Sequence, residues 1–401
     1  MKLNTYVNIL FCLFIIACKT PRPDISEEMP LHLTKAILEK DPYWSLHIAT
    51  INTFTIPVVP PFRQERISLI GDRIDYYQFD YVSIQEAFSN SVRSKLYDRS
   101  LMPHTKYFDV KGTIGSGMVM LSKYPLDRQT FWYHLLMGRA HNAEFWSGKG
   151  VAKATIVKSG LPVSLYNVHL LSRLSKNADE NVDYNSVDRL SELFEVFTQI
   201  VEQRDSDAFA VLGDFNMNVN NKEFTFFKNL TQLEGTLFQE GDQSLCTYCG
   251  SNSFVKKGEG QLDYIWISPR LEFLEKEIFL KKTYVISGKP SNLSDHYGVR
   301  ALVGIKSNQL SFEVKTNRFE QTLEQVRYLN SIVSKELDGD DPFKEESKGA
   351  SEHLCRTCRL KDVLNISNNY IKALDRSLDV HELSETQVQL RKRLESYFSL
   401  F

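Results

Sequence analysis

Charge of one sign is the first thing this chain lacks. Across 401 residues, 48 lysines and arginines stand against 50 aspartates and glutamates, a net charge of −2. That balance argues against bulk electrostatic capture of nucleic acid, which shows as a basic excess, though a local basic groove stays open. Long apolar runs are also scarce. Past Cys18 no stretch is long and apolar enough to cross a bilayer. No internal repeat and no extended low-complexity run is visible, which removes solenoids and fibrous arrays from consideration. Cysteine is limited to six residues and tryptophan to four. What is present suffices for a core: hydrophobic residues make up 42% and aromatics 12%. The length allows one large domain with an appendage, or two domains.

The one apolar run lies at the N-terminus. Lys2 is followed by Tyr6 to Ala17, broken only by Asn8. It is too short for a membrane span and reads as a signal-peptide core. It ends Ile15-Ile16-Ala17-Cys18, which resembles a bacterial lipobox with Cys18 as the lipidated residue. The expectation is therefore an exported, membrane-anchored bacterial lipoprotein with signal peptide 1–18. An ordinary secretory signal or a buried N-terminus is the alternative. The polar, proline-rich stretch that follows makes residues 19–45 a tether. The remaining cysteines form two pairs, Cys246-Thr-Tyr-Cys249 and Cys355-Arg-Thr-Cys358. In an exported chain these predict disulfides of open connectivity, with a shared zinc site as the alternative.

Strand and helix signals alternate from about His47 to Ile305. Leu46 to Ile51, Tyr81 to Ile84, Gly117 to Leu121, Phe209 to Leu212 and Tyr264 to Ile267 read as strands. Val151 to Val157 and Pro162 to His169 predict a hairpin about Ser159-Gly160. Ile67, Ile70 and Ile74 mark a helix over Arg63 to Ile74, and Leu190, Leu193, Phe194, Phe197, Ile200 and Val201 mark one over Val187 to Arg204. Many strands with few interleaved helices predict an α+β fold, a four-layer sandwich of two packed mixed β-sheets flanked by helices. Beyond Ile305, three further helical patterns (Asn317 to Leu337, Leu360 to Leu378, Glu382 to Leu400) predict a small C-terminal helical region. The aromatic run Phe131-Trp132-Tyr133 to Met137 is expected in a core, with lipid contact as the second reading.

Polar blocks interrupt these strands in a telling order: Asn52; Gln85-Glu86; Ser116-Gly117; Asn167-Val-His169; Gly213-Asp214-Phe-Asn216; Leu262-Asp263-Tyr264; Ser294-Asp295-His296. Carboxylates beside buried strands are costly unless paired, hydrogen-bonded or bound to metal. Imidazole titrates near neutral pH, so His296 is the candidate general base. The ordered set resembles the endonuclease/exonuclease/phosphatase superfamily, which includes deoxyribonuclease I, inositol polyphosphate 5-phosphatases and neutral sphingomyelinases. The resemblance covers about His47 to Val303. It implies a magnesium ion held by Glu86 and Asn52, with Asp263 orienting His296 and Asp295 adding a metal-proximal carboxylate. Asp214 and Asn216 would contact the phosphate or the attacking water, and His169 would stabilise the transition state. Domain bounds follow as 46–305 for catalysis and 306–401 for the helical region.

Phe145-Trp-Ser-Gly-Lys149-Gly150-Val151 is similar to the Lys-Gly-Val element of neutral sphingomyelinases and implies that Lys149 meets a substrate phosphate. The implied activity is magnesium-dependent hydrolysis of sphingomyelin to phosphocholine and ceramide, with a phospholipid substrate and a lipid-anchored membrane partner. An exported deoxyribonuclease I-like endonuclease is the alternative, and only there does nucleic acid become a partner. A non-catalytic surface-binding lipoprotein is the alternative of another class. Secreted bacterial sphingomyelinases carry an aromatic-tipped hairpin before the final Asp-His. Here that stretch, Lys281 to Leu293, has only Tyr284.

Overall fold

A computed structural model describes residues 44–57, 60–110, 114–133, 147–173, 183–240, 243–306, 316–339 and 350–400. The signal segment with Cys18, the tether as far as residue 43, and the aromatic run beyond Tyr133 lie outside the described residues.

In chain order the elements are β1 (Ser45–Asn52), α1 (Arg63–Tyr77), β2 (Tyr81–Gln85), α2 (Asn90–Ser100), β3 (His104–Tyr107), β4 (Val119–Ser122) and β5 (Asp127–Tyr133). Then follow β6 (Gly150–Lys158), β7 (Leu161–His169), α3 (Ser186–Gln203), β8 (Phe209–Asp214), α4 (Lys222–Thr231), β9 (Glu234–Gly235), β10 (Gln239–Glu240) and β11 (Gln243–Ser244). The last are β12 (Asp263–Ile267), β13 (Leu271–Phe279), β14 (Tyr284–Ile286), β15 (Lys289–Ser291), β16 (Gly298–Ile305), α5 (Thr316–Asp338), α6 (Ala350–Leu374) and α7 (Glu385–Phe398).

Two six-stranded sheets dominate, ordered β13-β16-β1-β2-β4-β3 and β5-β6-β7-β8-β12-β9. Both are mixed: β1–β2 and β7–β8 run parallel among antiparallel neighbours. The period-two alternation of each strand divides its apolar side chains between layers. On β8, Ala210 and Leu212 enter the core between the sheets, while Phe209 and Val211 enter the outer core beneath α3 and α4. On β12, Ile265 and Ile267 face inward, and Tyr264 and Trp266 outward. A third cluster packs Ile67, Ile70 and Ile74 of α1 and Val92 and Leu96 of α2 on Ala49, Ile51, Val82 and Ile84. The result is the four-layer α+β sandwich expected from the sequence. Ser159 and Gly160, with φ of 50° and 82°, make the predicted hairpin turn, where both residues must be left-handed.

Three C-terminal helices form as anticipated; α5 and α7 differ from the expected bounds by one to three residues, while α6 begins ten residues before the expected Leu360. Val326, Leu329, Tyr370, Leu394 and Tyr397 join the same buried cluster as Phe197, Phe209 and Trp266. They extend the outer face of the second sheet rather than building a core of their own. Residues 42–401 accordingly cluster as one compact unit. Among the described residues no helix is long and apolar enough to cross a membrane.

Helix α2 and edge strand β5 are not apparent in the sequence pattern. α2 shows few apolar positions, but Ser89 caps it by accepting from the Val92 N–H. Strand β5 places Phe131 against the inner core, stacked on Phe108 at 5.3 Å, and Trp132 against the outer one. For these two residues the core reading holds. Cys246 and Cys249 are joined to each other, so they are not available to a zinc site. Cys358 is free and exposed. The Cys355 side chain lies outside the described residues.

Candidate active site

Sheet register brings the sequence-distant acids together. In the β7–β8 ladder His169 pairs with Asp214, and in the β8–β12 ladder Asp214 pairs with Asp263. Three adjacent strands thus end level, each on a titratable side chain. All three residues are buried. The crossing is tight: a Cβ on Gly213, whose φ is 157°, would come within 1.9 Å of the Val168 carbonyl oxygen. Only glycine fits immediately before Asp214. His169 Nε2 lies 3.6 Å from Asp214 Oδ2.

The facing sheet supplies the remainder. Asn52 ends β1, and its Nδ2 donates to Asp214 Oδ2 at 3.0 Å and to Glu86 Oε1 at 3.2 Å. Its Oδ1 accepts from the Phe54 N–H at 3.0 Å. Glu86 follows β2 with φ of 62°, a left-handed conformation costly for a residue with a side chain. The Ser294 hydroxyl donates to the Asn52 carbonyl at 2.7 Å and accepts from the His296 N–H at 3.2 Å, tying the last polar block to the first.

His296 Nδ1 lies 2.8 Å from Asp263 Oδ2, and both residues are buried. The carboxylate defines the tautomer, with the proton on Nδ1 and Nε2 left as the basic nitrogen. Burial alone would lower the His296 pKa, but the charges of Asp263, Asp214 and Asp295, with the Asp263 hydrogen bond, hold it well above its ordinary value. The acids rise as well, but in them burial is the cause. Burial, with the nearby Asp295 charge, pushes the Glu86 carboxyl up to about 8. Burial pushes Asp214 up to about 6, with Asp263 adding to the rise. Burial likewise raises Asp295.

Lys149 and Asn216 converge on one acceptor. Lys149 Nζ donates to the Leu170 carbonyl at 3.1 Å, and Asn216 Nδ2 donates to the same oxygen at 2.9 Å. Lys149 is buried, and its charge acts on both Glu86 and Asp214. All the sequence-predicted site residues within the described region therefore meet in one place: Asn52, Glu86, Lys149, His169, Asp214, Asn216, Asp263, Asp295 and His296. Sequence reasoning missed Arg66. It is fully buried and donates to the carbonyls of Thr53 (3.2 Å), Phe54 and Leu293 (2.6 Å each), clamping the loop after β1 to the loop before Ser294. An arginine amid the apolar repeat of α1 was the available signal. Gln85 was named only as a neighbour of Glu86. Its Nε2 donates to Asn167 Oδ1 at 2.7 Å and joins the two sheets behind the site.

The donors fit a hard divalent cation. Glu86 Oε2 is shielded from solvent and has no hydrogen-bond partner, beside carboxylates whose pKa values burial has raised. Asp214, Asp263 and His296 also offer atoms within 4.8 Å of one another. A cation among those three would compete with the 2.8 Å His296–Asp263 bond, so Glu86 is the better anchor. Asn52 presents its nitrogen to the carboxylates. Coordination through its oxygen requires the amide to turn over and give up the Phe54 contact. The hairpin β14–β15 lies upstream of Ser294. Its exposed large hydrophobic side chain is Val285, while Tyr284 packs against the α1–α2 core beneath Arg73.

Comparison with known proteins agrees with this geometry. Sphingomyelin phosphodiesterase 2 of Mus musculus is 26% identical over 282 residues, covering 65% of this chain and 65% of that protein. Inositol phosphosphingolipids phospholipase C of Schizosaccharomyces pombe is 24% identical over 323 residues, covering 67% of this chain and 70% of that one. A variant of beta toxin from Staphylococcus aureus, solved with bound magnesium ions, shares the fold with a TM-score of 0.53 at 20% identity, over 66% of this chain and all of that one. The model of the Endonuclease/Exonuclease/phosphatase family matches residues 49–296, more than half of the sequence, from the middle of β1 to His296. The chain belongs to the endonuclease/exonuclease/phosphatase family.

Proposed function

We propose that this phosphoric diester hydrolase cleaves sphingomyelin to phosphocholine and ceramide with the help of magnesium. One observation carries the reading: a buried His296–Asp263 pair adjoins a hydrogen-bonded cluster of buried Asn52 and Asp214 with partly exposed Glu86. That is the acid–base and cation-binding equipment of phosphodiester hydrolysis gathered in one place. The mouse and fission-yeast relatives, named for cleavage of sphingolipid phosphodiesters, favour this substrate class over nucleic acid.

Glu86 would hold the cation, with Asn52 beside it. Bound there, the dication neutralises phosphate charge and lowers the pKa values of the groups around it. His296 Nε2 takes the proton of the attacking water while Asp263 stabilises the imidazolium. As the new oxygen–phosphorus bond forms, the bond to the ceramide oxygen breaks. Protonated His169, beside Asp214, would supply that oxygen with a proton. Asn216 and Lys149, both anchored on the Leu170 carbonyl, orient the phosphate, and Asp214 steadies Asn52 and the water. Asp295 adds negative charge near the cation. A lipid on Cys18 would place residues 46–305, the catalytic part, beside a bilayer at the cell envelope, with 306–401 packed behind it.

The purified full chain is assayed on sphingomyelin vesicles and on plasmid DNA, with magnesium and with chelator. Phosphocholine release abolished by chelator supports the reading. DNA nicking without phosphocholine release overturns it in favour of a nuclease, and a folded protein inert on both substrates favours a non-catalytic binder.

A further inference from the structure

The disulfide loop Cys246–Cys249 has no part in the roles assigned so far, yet it touches the acid–base pair from several directions. Thr247, inside the loop, is fully buried. Its Oγ1 accepts from the backbone N–H groups of Leu262 at 2.9 Å and Asp263 at 3.2 Å. Its carbonyl accepts from the N–H of Tyr297, the residue after His296, at 2.8 Å. The N–H groups of Thr247 and Tyr248 both donate to the Gly260 carbonyl at 3.0 Å, and the Gly260 N–H returns to the Tyr248 carbonyl at 2.9 Å. The Tyr248 ring meets the His296 imidazole edge-on, centroids 5.4 Å apart.

Asp263 opens β12 and His296 lies 33 residues later, before β16. A 2.8 Å contact between segments so separated needs a common reference. Thr247 is bonded on its hydroxyl side to the Asp263 backbone and on its carbonyl side to the residue after His296. We propose that Thr247 is a positioning residue for the Asp263–His296 pair, and that the Cys246–Cys249 bond holds Thr247 in register. Hydroxyl chemistry matters here, because valine has the same shape but would leave two buried N–H donors without an acceptor. The kinetic part of this proposal rests on the sphingomyelinase reading, while its geometric part does not.

The test compares Thr247→Val, Thr247→Ser and the double variant Cys246→Ser/Cys249→Ser with wild type in the full chain. Two readouts are taken: kcat and KM on sphingomyelin vesicles with magnesium, and the His296 Nδ1–H resonance in 15N-histidine-labelled protein, assigned by its loss in His296→Gln. Thr247→Val is expected to lower kcat about 30-fold, with KM within about threefold, and to shift or broaden the His296 signal. Thr247→Ser keeps the acceptor and should stay near wild type in both. The double serine variant should move the His296 signal in the same direction as Thr247→Val. An unchanged His296 signal in folded Thr247→Val overturns the proposal, as does a Thr247→Ser variant impaired as much as Thr247→Val. Should Thr247→Val fail to fold, an unchanged signal in the double serine variant overturns it instead. If wild type releases no phosphocholine, the functional reading fails and the resonance alone decides the role of Thr247.

Discussion

Replacing Asp263 with asparagine tests the acid–base assignment most directly. The substitution keeps side-chain size at a site with no solvent exposure and a 2.8 Å contact to His296 Nδ1. What it removes is the negative charge opposite the imidazolium formed when His296 takes a proton. Two unit charges about 4 Å apart, at an effective dielectric constant of about 20, interact by about 4 kcal/mol. At 1.36 kcal/mol per decade that is about a thousandfold in rate. The amide can also present its NH2 group to Nδ1 and so favour the wrong tautomer, as in the serine-protease triad, where the corresponding change costs about ten thousandfold. Asp263→Asn should therefore lower kcat for phosphocholine release by about three to four decades, with a folded circular dichroism spectrum and little change in KM. A folded variant within about tenfold of wild type would refute the pairing as a catalytic device.

Other outcomes follow from burial and charge. Glu86 has a folded pKa of about 8, so without metal the unfolded chain releases a proton above the ordinary carboxylate range that the native state retains. Metal-free stability should then fall as pH rises from about 4.5 to 8, by up to about 1.4 kcal/mol per unit. Urea melts should show this slope flattened in Glu86→Gln, and a slope identical to wild type would contradict the assignment. His47 behaves oppositely. Burial, with the Arg300 charge, depresses its pKa to about 3, so stability should be lost as pH falls from about 6.5 toward 3, and His47→Gln should remove that loss. Arg356 of α6 bonds the fully buried Asp188 at 2.7 Å and Glu336 at 2.8 Å. Arg356→Ala should strand Asp188 and cost about 3 kcal/mol in urea unfolding, whereas a loss below about 1 kcal/mol would mean the C-terminal helices are held by apolar contact alone.

The parts of this molecule that were legible in the sequence are those with a strict period or a costly residue. Strand β8 announced itself through Phe209-Ala-Val-Leu, and α3 through its apolar stripe, because packing on both sides of a sheet leaves little freedom in residue type. The site was legible because Asp214, Asp263 and His296 are expensive where they sit. What stayed hidden was held by tertiary partners. α2 depends on a serine cap and two buried aliphatics, too little for a periodic signal. Thr247 looked like filler between two cysteines, since nothing local announces that its hydroxyl serves backbone groups fifteen and sixteen residues away. Asn52 lies in the cluster, but which end of its amide faces Glu86 is a property of the assembled site.

The same register that builds the site also strains it. Lining up His169, Asp214 and Asp263 across β7, β8 and β12 puts buried acids within reach of one imidazole, and β1 and β2 add Asn52 and Glu86 from the opposite sheet. Lys149 lends positive charge to Glu86 and Asp214, and the carboxyl pKa values stay raised in its presence. A sheet register cannot relax one residue at a time, because a slip of one position would turn every side chain of the strand to the other face. The fold therefore retains the crowding, and the orphaned Glu86 oxygen marks where a dication would relieve it. On this view cation binding and stability are one equilibrium read in two ways. A dication held by Glu86 would raise the unfolding free energy, and Glu86→Gln should abolish that gain in urea melts with and without magnesium.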